Sequence, residues 1–148
     1  MPVSLDETFA FFADAYNLEA ITPPWLRFRI VSAPDALEEG SRIDYRLSLH
    51  GVGFSWRTRI EVWERPRRFV DRQLDGPFAL WEHTHAFEAR DGGTLIRDVV
   101  RYRMPFAAAG ELAHRLLIGR DLERIFGYRR EAVARQLAPR ATLPAASS

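Results

Sequence analysis

The sequence predicts an α+β fold in which a curved antiparallel sheet of about six strands wraps around one long C-terminal helix. Three observations lead there. Residues 26–103 largely alternate apolar and polar with period two, broken by short turn sequences. Two short helical patterns precede that stretch and a single long one follows it. One face of the alternating segments is apolar, and only the long helix is large enough to cover it.

A first helix is expected over residues 5–13. Ser4 and Glu7 match the S-x-x-E capping box, and Leu5, Phe9, Phe12 and Ala13 recur at helical spacing. A further turn or two from Asn17 to Ile21 is stopped by Pro23 and Pro24. From Trp25 the period changes to two, and Leu26, Phe28 and Ile30 alternate with Arg27 and Arg29 in a half-buried strand. Ile43, Tyr45, Leu47 and Leu49 form the inner face of the next strand. After the turn HGVG come Phe54, Trp56, Thr58, Ile60 and Val62. Past ERPRR, the inward residues are Phe69, Asp71 and Gln73. Past DGP they are Trp81, His83, His85 and Phe87, and past RDGG they are Ile96, Asp98, Val100 and Tyr102. Short hairpins of this kind imply an antiparallel meander.

Pro105 closes the last strand, and a helical pattern runs to about Leu137. Leu112, Leu116, Leu122, Ile125, Phe126, Val133 and Leu137 form its apolar stripe, with Arg115, Arg120, Glu123, Arg124, Arg130 and Arg135 on the exposed sides. The final PRATLPAASS, residues 139–148, reads as a disordered tail after a single domain over 1–138.

Composition removes several function classes. The chain has 148 residues and no cysteine, which excludes disulfides, thiolate nucleophiles and cysteine metal sites. All 21 basic residues are arginine, so Schiff-base lysine chemistry and a Walker-type phosphate loop drop out. A net charge of +1 gives no electrostatic case for nucleic acid. No apolar run is long enough for stable insertion in a bilayer and no leader pattern is visible, so a cytoplasmic location is expected.

The stretch WEHTHAF concentrates the chemistry. Alternate strand residues share a face, so Trp81, His83, His85 and Phe87 point the same way. Counting from the turns places Asp71 opposite His83, Asp98 opposite His85, Tyr102 near Trp81 and Gln73 near Thr58. Polar groups on an apolar face are costly unless hydrogen bonded. The cluster admits four readings. It is a satisfied internal network that fixes register, or it lines a cavity and orients the polar end of an apolar ligand. It holds a metal through H-x-H and the carboxylates, or it supplies an acid–base pair in which an Asp-oriented histidine is the base. Each histidine has an Asp to satisfy it, so no metal or cofactor is expected. No G-x-S-x-G elbow or phosphate loop accompanies the cluster.

Elsewhere, Trp25 in TPPWL either gates a cavity mouth or caps the core, and the core is preferred. His50 in a turn and His114 on the helix are expected to be solvated. Arg27, Arg46, Arg57, Arg59 and Arg101 are expected to form a charged outer surface with Asp44, Glu61 and Glu82.

The element order, with FVDRQLDGPFALWEHTHAF and GGTLIRDVVRYRMPF, resembles the SRPBCC superfamily. This is the START-related helix-grip group that includes polyketide cyclases and pollen-allergen-like proteins. The chain is most similar to a bacterial branch with the pattern F-x-D-x-Q, G-P-F, W-x-H-x-H-x-F and D-x-V-x-Y. Those positions here run from Phe69, Asp71 and Gln73 through Gly76, Pro77 and Phe78 to Trp81, His83, His85, Phe87, Asp98, Val100 and Tyr102. DLERIFGYR, Asp121 to Arg129, resembles the same branch's last helix. Such proteins usually begin with a full strand before the first helix, where this chain has only MPV. Without that strand, Val99 to Arg103 becomes an open edge, which a homodimer would cover.

The resemblance implies a helix-grip protein binding a small hydrophobic or amphipathic molecule between sheet and helix. Phe28, Tyr45, Trp56, Trp81, Phe87 and Phe126 would be the apolar walls, and Asp71, Gln73, His83, His85, Asp98 and Tyr102 the polar contacts. The alternatives are a cyclase or dehydratase using His83, His85, Asp71 and Asp98 as acid–base groups, and an interaction module with a closed core.

Overall fold

The computed structural model describes residues 1–105 and 111–138, with side chains in the last helix from residue 117 onward. The expected tail at 139–148 and the side chains of Leu112, His114, Arg115 and Leu116 lie outside the described residues. Helices α1 (Leu5–Ala13) and α2 (Asn17–Ile21) precede a single turn of 3-10 helix at Pro24–Leu26. Six strands follow: β1 (Arg29–Ser32), β2 (Arg42–Leu49), β3 (Val52–Glu64), β4 (Arg68–Asp75), β5 (Leu80–Arg90) and β6 (Gly93–Arg103). Helix α3 (Glu111–Gln136) closes the molecule. The strands pair in chain order, all antiparallel, as the short turns require.

Local chemistry explains the elements. Ser4 caps α1, its Oγ accepting from Glu7 N while Glu7 returns to the Ser4 backbone N–H. The face so oriented buries Phe9 completely, edge-on to Trp63, Phe69 and Phe87. The β2–β3 hairpin turns on His50 and Gly51, both at positive φ (51° and 78°), the backbone of a tight two-residue turn.

Two details differ from the sequence reading. The first strand begins at Arg29 rather than Trp25, because the 3-10 turn and a left-handed Arg27 (φ 48°) intervene. The alternation of Leu26, Phe28 and Ile30 therefore spans a turn and a strand. In β3, a bulge between Ile60 and Val62 resets the facing, so Trp63 rather than Val62 turns inward against Phe69.

The filled core lies at one end of the sheet, where Phe9, Phe12, Ile21, Ile60, Phe69 and Phe87 meet Ala132 and Val133 of α3. Each of the Phe, Ile and Val side chains contributes about 1.5–3 kcal/mol by leaving water. The other end, around Tyr45, Trp56 and Trp81, is covered by α3 but not filled. At the β6 edge, Met1 exchanges both backbone hydrogen bonds with Thr94, and Thr94 Oγ1 donates to Val3 O. Alternate residues of an antiparallel strand present their polar groups to the same side. Past Thr94, that side of Ile96, Asp98, Val100 and Tyr102 is therefore an open edge among the described residues. The outer face carries the expected pairs Arg57 with Asp44, Arg59 with Glu61, and Arg101 with Glu82. No helix among the described residues is long and apolar enough to cross a membrane.

Candidate functional site

The inward residues of β4, β5 and β6 meet in one layer. The backbone register is the expected one, with Asp71 opposite His83 and His85 opposite Asp98. The side chains, however, bond across the diagonals. His85 Nε2 lies 2.6 Å from Asp71 Oδ2, and His83 Nε2 lies 2.8 Å from Asp98 Oδ1. Both diagonals slant the same way across the sheet, as a uniform twist requires. The directly opposite contacts are longer, at 3.8 Å for His83 Nδ1 to Asp71 and 3.4 Å for His85 Nδ1 to Asp98. The two imidazoles lie with centroids 3.7 Å apart, and each side chain is only 5% exposed.

Burial and neighbours push the two histidines in opposite directions. His83 is lowered to about 4, first by burial and then by repulsion from His85. For His85, burial also opposes the cation, but the hydrogen bond to Asp71 and the nearby Asp98 carboxylate outweigh it, and its pKa is raised. Burial would raise both carboxylates, yet their histidine partners hold Asp71 and Asp98 below the usual range. Near neutral pH the layer therefore holds a neutral His83 and two carboxylates, with the cation favoured on His85 over His83. The bond to Asp98 places the His83 proton on Nε2 and leaves Nδ1 as a lone pair.

Facing this layer from α3 is Arg129, half-buried, with desolvation lowering its pKa and Asp98, Asp71 and Tyr45 opposing that fall. Its Nε has no hydrogen-bond partner among the described residues. Its guanidinium carbon lies 5.9 Å from the Phe12 ring centroid and 6.0 Å from that of Phe126. Sequence reasoning did not single it out. The available signal was its place on the apolar stripe, three residues after Phe126 and four before Val133.

Two cavities adjoin the layer. One, of about 280 Å³, lies between β2, β3, the β4–β5 loop and α3, and is walled by Phe28, Tyr45, Trp56, Phe78, Trp81 and Phe126. Tyr45 stacks on Trp56, and Trp81 meets Trp56 edge-on. Burial keeps the Tyr45 phenol protonated well past its ordinary range. The second, of about 400 Å³, lies between β6 and α3 and includes Phe12, Ile96, Asp98, Phe126, Arg129 and Arg130. Phe126 is common to both walls, and its ring meets His83 edge-on at 5.4 Å.

The structure therefore separates residues that the sequence grouped. Phe28, Tyr45, Trp56, Trp81 and Phe126 line the apolar cavity, whereas Asp98 lines the second cavity. Asp71, His83 and His85 lie behind these walls. Phe87 is in the filled core rather than a cavity wall. Gln73 faces the loop, where its Nε2 donates to Phe78 O at 2.8 Å and its Oε1 accepts from Phe78 N at 3.2 Å. That reach needs Gly76, since a Cβ there would sit 2.7 Å from the Gln73 side chain. Tyr102 backs the cavity wall by packing on Phe78 and Trp81. Trp25 is 46% exposed, set edge-on to Tyr128 with Arg124 over its ring, so it does not cap the core. His50 is not simply solvated, because its Nε2 lies 2.8 Å from Asp121 Oδ2 and ties the β2–β3 turn to α3.

Asp71, His83 and His85 each offer a ligand atom, all within 4.8 Å of one another. Two histidines and a carboxylate suit zinc or iron by type. Here, however, both Nε2 atoms already bond carboxylates, and Arg129 brings a positive charge to face them. A metal ion would have to break those bonds beside that charge, so the donors fit one another better than they fit a metal.

The family model for polyketide cyclase / dehydrase and lipid transport proteins matches residues 1–126. The chain belongs to this family. Solved structures carry the same helix-grip fold. Protein Ms6760 from Mycobacterium smegmatis is 21% identical, with a TM-score of 0.67 over 93% of this chain and 85% of that one. Protein CV1439 from Chromobacterium violaceum is 11% identical, with a TM-score of 0.71 over 94% and 92%. TTHA0849 from Thermus thermophilus is 19% identical, with a TM-score of 0.64 over 93% and 94%. At these identities the likeness shows the fold alone. Among curated proteins no match was found. Membership in the polyketide cyclase and lipid transport family fits a sheet that grips a helix over an apolar hollow.

Proposed function

We propose that this protein binds a small hydrophobic or amphipathic molecule in the cavity of about 280 Å³ between the sheet and α3. The supporting observation is the wall itself. Tyr45, Trp56, Phe78 and Trp81 surround an unfilled space at the end of the sheet opposite the packed core. Small-molecule sites are apolar hollows of about 300–1,000 Å³ with few polar groups, so this one suits a compact ligand. Trp56 Nε1, buried without a hydrogen-bond partner among the described residues, and the Tyr45 hydroxyl are the donors this wall offers such a ligand.

Titration with 1-naphthol, followed by the fluorescence of the wall tryptophans, tests this reading. Saturable quenching is expected, weakened at least tenfold by Leu122→Trp, which places an indole in the cavity. Quenching that is absent, or unchanged in the variant, would count against the proposal.

A second reading, acid–base catalysis of the cyclase or dehydratase kind, is favoured by one feature. Two adjacent histidines with pKa values pushed apart are the arrangement in which one serves as base and the other as acid. His83 lies against Phe126 and His85 against Phe12 and Phe69, so this chemistry requires Phe126 to swing away from His83.

A further inference from the structure

We propose that the second cavity, between β6 and α3, is a separate binding site for a small organic monocarboxylate, with Arg129 as the carboxylate's partner. The site is not the apolar one described above, and its occupant does not enter that cavity.

Arg129 carries the argument. Its Nε is buried, and the half-buried side chain lies on the wall of a space of about 400 Å³. A guanidinium N–H taken out of water without an acceptor is costly, and proteins normally satisfy it with a bonded carboxylate. The carboxylates that face it, Asp71 and Asp98, are already hydrogen bonded to histidines. Arg129 Nε meanwhile has no hydrogen-bond partner among the described residues. The two rings nearest the guanidinium, Phe12 and Phe126, stabilise a cation weakly and leave its in-plane N–H groups for another partner.

The wall selects the kind of anion. Arg129 and Arg130 outnumber Asp98 among its charged side chains, and Asp98 Oδ1 is already engaged by His83 Nε2. A planar carboxylate matches a single guanidinium through two parallel hydrogen bonds. A phosphate dianion would bring more negative charge beside Asp98, with Arg130 exposed and a single half-buried guanidinium to receive it. Phe12, Ile96, Phe126 and Val133 supply an apolar surface for a short hydrocarbon body attached to the carboxylate.

The test uses the full chain, sodium hexanoate as probe, and 1-hexanol as a neutral molecule of similar shape, with binding read by calorimetry at pH 7. Hexanoate should bind at least tenfold more tightly than hexanol. Arg129→Met, similar in length but uncharged, should remove that preference, whereas Arg124→Met, exposed on the same helix and outside both cavity walls, should change it less than threefold. If Arg129→Met fails to fold, as judged by circular dichroism, Arg129→Lys replaces it. Lysine keeps the charge but loses the paired geometry, so a severalfold weakening is expected. Equal binding of acid and alcohol by the unmodified protein, or full retention of the preference in the folded Arg129 variant, overturns the assignment. 1-Naphthol quenching, which reports the apolar cavity, should be unaltered by Arg129→Met. Loss of hexanoate selectivity in the unmodified protein with naphthol binding intact would defeat this proposal alone.

Discussion

Acidification from pH 7 to pH 4 is expected to cost the folded protein about 3 kcal/mol through His83 alone. The ring is held at about 4 in the folded chain, against 6.5 when free. One pKa unit is worth about 1.4 kcal/mol, so that displacement gives the figure. Between those two values the unfolded chain binds a proton that the folded chain refuses, and stability therefore falls as pH drops. Other members of the layer do not obscure this window. His85 is raised, so its stabilisation is complete below 6.5 and is lost only as pH rises through its folded value. Asp71 and Asp98 are lowered from 3.8, so their stabilisation persists above that value and is lost below it. Urea unfolding at half-unit pH steps measures the slope. The variant His83→Gln, whose amide nitrogen can still donate to Asp98, should lose most of the dependence between pH 6.5 and 4. A domain of ordinary stability has only about 5–15 kcal/mol in total, so the effect is well within reach of measurement. An identical pH profile in the variant, or a His83 ring that titrates near 6.5 by NMR, would refute the reasoning.

Two further outcomes follow from the same geometry. His50→Ala should strand the buried Asp121 carboxylate and release the β2–β3 turn from α3, at a cost of about 1–3 kcal/mol in thermal or urea unfolding. It should also speed 1-naphthol release in stopped-flow measurements. Equimolar zinc at pH 7 should leave the melting temperature unchanged, because both Nε2 atoms are bonded to carboxylates and the charge of Arg129 faces the cluster. A rise at one-to-one stoichiometry would show a true metal site.

Much of this molecule is legible in its sequence because its cues are local. Ser4 and Glu7 announce the first helix, and period-two alternation with short turns fixes an antiparallel order. Counting from the turns gives the register that puts Asp71, His83, His85 and Asp98 in one layer. Where a local cue breaks, so does the reading. The bulge after Ile60 exchanges Val62 for Trp63, and a left-handed Arg27 delays the first strand. Neither residue type marks the event, since backbone irregularities are settled by packing of distant parts.

The sequence by itself determined which residues share a face, because facing depends only on strand period. It did not determine which of them meet. The twist of the sheet turned the expected opposite pairs into diagonal ones, and the angle of α3 across the sheet set Phe126 between an apolar hollow and a polar one. Arg129 shows this most clearly. Along the chain it is one arginine among 21, but the packing of α3 sets it, half-buried, opposite two carboxylates that histidines already hold. Charge placed by tertiary contact, rather than by neighbours in sequence, is what only the folded structure decides.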